Sequence, residues 1–266
     1  MKKMTVIQNN NTRKLWDRFW SSRKSPEDFY PGNGRLISLI MDNLPVRGKR
    51  ILEVGAGTGQ GSMDLAMAGA RIFLLDYSEM AIDLLKQQRR ENHAVCIVRG
   101  DALALPFKGG CMDIVFHQGL LEHFHEPKTV LNENNRVLNN KGWVLAEVPQ
   151  KYHIYTLIKH LLMVMDAWFA GRETEFTVRR LKKTVQYTGF HIRRLYGGGM
   201  VPSFFYRALR MLLRYFHVTL PMYPKSTVIG SRVRKNIQHW FNKDSLLLNF
   251  CIQIGVMAEK ADGPLK

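Results

Sequence analysis

The stretch Ile51-Leu52-Glu53-Val54-Gly55-Ala56-Gly57-Thr58-Gly59 decides the fold. A short β-rich run from Arg50 to Val54 meets three alternating glycines, and the helical pattern of Met63, Leu65 and Ala66 follows. That order is strand, tight loop, helix. Glycine serves such a loop because it allows backbone angles that a side chain forbids, lets the main chain approach a ligand, and leaves helix N-terminal amides exposed. Downstream, the apolar run Ile72 to Leu75 ends at Asp76, and a helix with Ser78 as its cap and Met80, Ala81, Leu84 and Leu85 on one face completes a βαβ unit. The alternation continues through Val95 to Val98, Ile114 to Phe116, a helix around Leu120 to Leu138, and Trp143 to Val148. Later strand candidates are His191 to Tyr196 and Asn249 to Ala258. The pattern predicts an α/β fold: a doubly wound, mainly parallel seven-stranded sheet, Rossmann-like, with helical cap insertions.

The glycines do not fit two rival phosphate-binding motifs. A GxGxxG fingerprint starting at Gly55 needs Gly or Ala where Gln60 stands, and one starting at Gly57 needs it at Ser62. No Lys follows in the manner of a nucleoside triphosphate loop.

Composition bounds the rest. The 266 residues are 45% hydrophobic and 23% charged, enough for one substantial core with an insertion. The net charge of +17 is uneven: residues 1–149 carry 20 Lys and Arg against 16 Asp and Glu, while residues 150–266 carry 19 against 6, a +13 half that suits an anionic partner. The N-terminus has no apolar run of the secretory kind, and Ile154 to Ala170, broken by Lys159, His160 and Asp166, falls short of the roughly 20 apolar residues of a spanning helix. A cytoplasmic protein without transmembrane helices is expected. Cys96, Cys111 and Cys251, in or beside apolar segments and without a CxxC pair, read as buried thiols. The chain divides into residues 1–35, an N-terminal helical lid carrying Trp16, Phe19 and Trp20; 36–149, the cofactor half; and 150–266, the remaining sheet with caps at about 150–176 and 200–246. Within the second cap, Arg207, Arg210 and Arg214 share one face of a basic amphipathic helix near Ser203 to His217, which reads either as a lid helix with its arginines in water or as a peripheral contact with an anionic membrane.

From Ile51 to Pro149, the successive segments ILEVGAGTG, LLDYS, GDALALPF, MDIVF and RVLNNKGWVL resemble the motifs of class I S-adenosylmethionine-dependent methyltransferases, and within them the ubiquinone and menaquinone methyltransferase group. The sequence departs from that group at Asn139–Gly142, where a Pro-Gly-Gly turn is more usual. The resemblance implies S-adenosylmethionine as cofactor. It sets Gly55, Gly57 and Gly59 under the methionine portion, with Glu53 towards its amino group. Asp76, followed by Tyr77, would accept from the ribose hydroxyls, and Asp101 with the amide of Ala102 would meet the adenine. His117 and Gln118, ending the fourth strand, would line the junction of cofactor and acceptor.

Methyl transfer is an in-line displacement in which alignment supplies much of the rate. A hydroxyl acceptor also needs a base, for which His117, His123 and His125 are candidates, His117 and His123 foremost. His117, Glu122, His123 and His125 match no compact zinc spacing, so no metal is expected. The place after the fourth strand reads Phe116-His117-Gln118-Gly119, without the Pro-Pro-aromatic motif of base-amine methyltransferases, and Cys111 precedes that strand. A nucleic-acid acceptor is thereby disfavoured. The expected acceptor is a small, apolar, aromatic or lipid-like molecule. The competing readings are an RNA methyltransferase using the basic half and a non-catalytic cofactor-binding partner subunit.

Overall fold

The computed structural model describes residues 12–21, 34–88, 94–153, 156, 173–198, 213, 218 and 247–261. Seven strands form one sheet in the order β3-β2-β1-β4-β5-β7-β6. They are β1 (Arg50–Val54), β2 (Arg71–Asp76), β3 (Val95–Arg99), β4 (Met112–Gln118), β5 (Leu138–Pro149), β6 (Phe190–Gly198) and β7 (Gln253–Lys260). The first five run parallel; β7 inserts antiparallel between β5 and β6.

The sheet is buried on both faces because its strands are apolar in consecutive residues. Ile51, Ile72, Leu74, Ile114 and Leu145 pack with Leu36, Ile37 and Ile40 of α2 (Arg35–Asn43), Leu65 of α3 (Gln60–Met67) and Leu85 of α4 (Glu79–Gln88). Leu52, Val54, Val115, Val144 and Val256 face the other way, against Val130 and Leu131 of α5 (Pro127–Val137) and Leu181 and Val185 of α6 (Val178–Gln186). The helix α1 (Arg13–Ser21) buries no residue fully and lies against α4. There Asp17 accepts from the Ser78 hydroxyl at 2.6 Å and from the Glu79 amide at 3.0 Å.

The structure departs from the sequence reading in several particulars. The helix expected around Leu120 to Leu138 is split: a 3-10 turn, Leu121–His123, precedes α5, which starts at Pro127, where a missing N–H costs nothing. The last strand candidate begins later, after a second 3-10 turn at Leu247–Phe250. Met80 is exposed, and Ile82 joins Ala81 and Leu85 on the buried face of α4. Cys96 is exposed because β3 is the sheet edge; Cys111 is half-buried and Cys251 buried. At Asn139–Gly142, Lys141 takes a positive φ of 62°, and Asn139 donates to Asp113 at 2.7 Å, so the turn closes without proline. Among the described residues no helix is long and apolar enough to cross a membrane. Most of both expected caps, and the amphipathic helix near 203–217 apart from Leu213, lie outside the described residues.

Candidate active site

The carboxyl ends of β1 to β4 open into a cavity of about 360 Å³, within the range of small-molecule sites. Its floor is the loop from Gly55 to Gly61. Gly55, Gly57 and Gly59 all have positive φ, between 53° and 70°. At Gly57 a side chain is excluded twice over, since a Cβ would sit 2.5 Å from the Trp20 ring above it. The Gly57 amide donates to Asp76 Oδ2 at 2.9 Å, while the Ser78 amide donates to Oδ1 at 2.9 Å. Asp76 also lines the cavity. Burial raises the Asp76 pKa, opposed by these amides.

Glu53 ends β1 beside Asp76. Its Oε2 accepts from the Ser62 hydroxyl at 2.6 Å, and its carboxyl is pushed up to about 7, first by burial and then by the neighbouring Asp76 charge, against the Ser62 bond. A cation entering the cavity meets two acids there. At the end of β3, Asp101 Oδ1 accepts from the Leu103 amide at 2.8 Å, and Ala102 and Leu103 complete that wall. Tyr77, 40% exposed, stands at the rim. The other side is apolar: Trp16, Phe19 and Trp20 of α1, Leu36 and Ile37 of α2, and Leu120 and Phe124.

Alternation along β4 separates two adjacent candidates. Phe116 and Gln118 face the cavity, whereas His117 turns to the opposite, apolar face beside Val115. The His117 ring is fully buried, neither nitrogen has a hydrogen-bond partner among the described residues, and burial lowers its pKa to about 3. The structure therefore does not bring His117 to the cavity, contrary to the sequence expectation for both a catalytic and a cofactor-lining role. Gln118 does line it, its Nε2 donating to Glu147 Oε1 at 2.7 Å, which orients its carbonyl oxygen away from that carboxylate. Glu147 is itself buried and paired with Arg35 of α2 at 2.6 Å. The Arg35 guanidinium lies 5.9 Å from the centre of the Tyr196 ring. Tyr196 lies across Gly255, where a Cβ would come within 2.2 Å of its ring.

His123 lines the cavity from the 3-10 turn after β4, edge-on to Trp16 at 4.8 Å. His125 points to solvent and pairs with Glu126 at 3.5 Å. The structure thus gathers Glu53, Gly55, Gly57, Gly59, Asp76, Tyr77, Asp101, Ala102, Gln118 and His123 around one cavity. Sequence reasoning missed Arg35, Glu147 and Glu173. A carboxylate inside the apolar run Val144–Val148 was the available signal for the first two, because a buried acid requires a partner.

Residues 52–146 match the methyltransferase domain family. A demethylmenaquinone methyltransferase of Renibacterium salmoninarum is 38% identical over 111 residues, 41% of this chain and 46% of that protein. The match thus spans less than half the length of that relative. The fold is similar to a Haemonchus contortus phosphoethanolamine N-methyltransferase 2 solved with S-adenosyl-L-methionine (TM-score 0.62, 17% identity, 96% of this chain and 59% of that one). It is also similar to the [4+2]-cyclase SpnF (TM-score 0.61, 21% identity, 86% and 81%). Residues 52–146, which include the glycine loop, are thus matched in sequence to a methyltransferase domain, in a sheet whose architecture is similar to that of S-adenosylmethionine-dependent methyltransferases of known structure.

Proposed function

We propose that the whole chain transfers a methyl group from S-adenosylmethionine to a small, apolar or aromatic, lipid-like acceptor. The observation that carries this reading is the two-sided cavity, with Glu53, Asp76 and Asp101 on one wall and Trp16, Phe19, Trp20, Leu120 and Phe124 on the other. The acids suit a cationic cofactor: Glu53 its ammonium, Asp76 the ribose hydroxyls, Asp101 with the Ala102 amide the adenine. Gly55, Gly57 and Gly59 let the backbone pass close beneath it, and Tyr77 and Gln118 stand at its margins. The bound cofactor supplies a methyl group on a positively charged sulfur. The protein's own work is to hold that group in line with an acceptor and to exclude water, which α1 favours by covering the loop at Gly57. The name of the Renibacterium relative supports a lipid-like acceptor, and the +13 charge of residues 150–266 supports a cytoplasmic protein that touches an anionic membrane surface.

Incubation with methyl-labelled S-adenosylmethionine and separate lipid, small-metabolite and RNA fractions tests the reading. Label in the lipid or small-metabolite fraction is expected. Label in RNA, or tight cofactor binding without transfer to any fraction, overturns it. Pelleting with anionic but not neutral vesicles is the check on the membrane contact.

A further inference from the structure

The turn after β4 holds more than a cavity wall. The Thr174 amide donates to the Glu122 carbonyl at 2.6 Å, and the Thr174 hydroxyl donates to the Phe124 carbonyl at 2.7 Å. These two bonds bracket His123 and pin the segment that precedes α6 against its turn. The neighbouring Glu173 is thereby fixed with Oε1 3.9 Å from His123 Nδ1, its side chain only 4% exposed and that of His123 12%. Trp16 covers the imidazole from α1. Among the described residues, the carboxylate paired with the ring is that of Glu173, from the segment before α6, while Glu122, next to His123 in the turn, is buried. From α1, Asp17 is turned to Ser78 and Glu79 instead. His125 pairs with Glu126 in solvent.

A histidine at a cavity, backed by a dry carboxylate, has the arrangement of a general base whose charged form is stabilised as it develops. Resting on the methyl-transfer reading above, we propose that His123 removes the hydroxyl proton of a phenolic acceptor as that oxygen is methylated, with Glu173 as the positioning residue that holds the imidazole and balances its charge. The acceptor O–H bond breaks and its proton passes to the imidazole. The oxygen uses its electron pair to form the new O–C bond, and the electrons of the S–C bond return to sulfur. One positive charge thus leaves sulfur and one arrives on the imidazole beside Glu173, so the site's total charge is unchanged while the charge moves towards a built counterion.

Two observations select a phenol. An aromatic amine, unprotonated at neutral pH, brings a lone pair without prior deprotonation, so it gives this pair nothing to do before transfer. Among hydroxyls, a phenol with a pKa near 10 lies within a few units of an imidazole, and a flat ring suits the wall of Trp16, Trp20 and Phe124.

The probes are 1-naphthol and 1-naphthylamine, which match in shape and differ in the proton at issue, together with NMR titration of the His123 ring in the complex with S-adenosylhomocysteine. The wild-type protein methylates the naphthol in preference. Glu173→Gln lowers kcat on it by about a hundredfold with KM little changed, and Glu173→Asp restores part of the loss. In the titration, Glu173→Gln lowers the His123 midpoint by about one pH unit, which a merely structural glutamate would not do. An unmoved midpoint overturns the dyad. Equal or better methylation of the naphthylamine, or methylation of neither probe by a protein that binds the cofactor, overturns the phenolic acceptor. Failure to bind S-adenosylmethionine in calorimetry would instead strike at the methyl-transfer reading itself.

Discussion

The two polar walls of the cavity are held by different means. At the ends of β1 and β2, the oxygens of Asp76 are fixed by backbone amides of Gly57 and Ser78, 19 and two residues away in sequence. At the end of β4, Gln118 is fixed by a relay of side chains, Glu147 and then Arg35, the last pair separated by 112 residues. Backbone amides come with the fold. A side-chain relay exists only because three particular residues are present, and it leaves a buried charge exposed to loss of its partner.

That contrast makes the relay the more fragile wall. Glu147→Ala leaves Arg35 partly buried without its counterion, and removing one member of a buried pair costs about 3–5 kcal/mol. A fall in Tm of roughly 10 °C is expected by calorimetry, at about 2–4 °C per kcal/mol. The pair replaced together, Arg35→Met with Glu147→Leu, should recover most of it. A single mutant as stable as the wild type would erase the distinction between the walls.

The amide-held wall should fail in function before it fails in fold. Asp76→Ala removes the acceptors proposed for the ribose and strands the Gly57 and Ser78 amides, so cofactor affinity is expected to fall by one to two powers of ten, at about 1 kcal/mol for each lost bond. Isothermal titration measures this directly, and unchanged affinity removes Asp76 from the ribose.

The smallest effect comes from pH. Glu53 lies at about 7 in the folded protein against 4.5 as its ordinary value. A raised acid contributes stability that is complete below pH 4.5 and lost as the pH climbs through about 7, so the cofactor-free protein loses this contribution over that window. A cofactor ammonium favours the ionised form. Affinity should therefore rise about eightfold between pH 6 and 7.5, and Glu53→Gln should flatten the profile. A flat wild-type profile would detach the ammonium from Glu53.

The same contrast explains what the sequence could disclose. The glycine loop, Asp76 and Asp101 are legible because each stands at the end of its own strand, and a doubly wound sheet brings strand ends together whatever the rest of the chain does. His117 and Gln118 are both at such an end, yet only the face that carries the cavity distinguishes them, and both faces of β4 are apolar in sequence. Arg35 and Glu173 lie still further from legibility, since nothing near them in the chain announces Glu147 or His123. Cys96 misled for a related reason: an apolar strand at the edge reads like one at the centre.

The placement of Asp17 has a kinetic consequence. Its carboxylate accepts from the first residues of α4 while Trp20 of the same helix rests on the glycine loop. If spent cofactor is to depart past α1, the helix that shuts the cavity must let go of the one it caps. Turnover would then carry a clock written in amide exchange: the Glu79 N–H would lose its protection at the pace of product escape, and a slower clock would mean a longer dwell of the spent molecule.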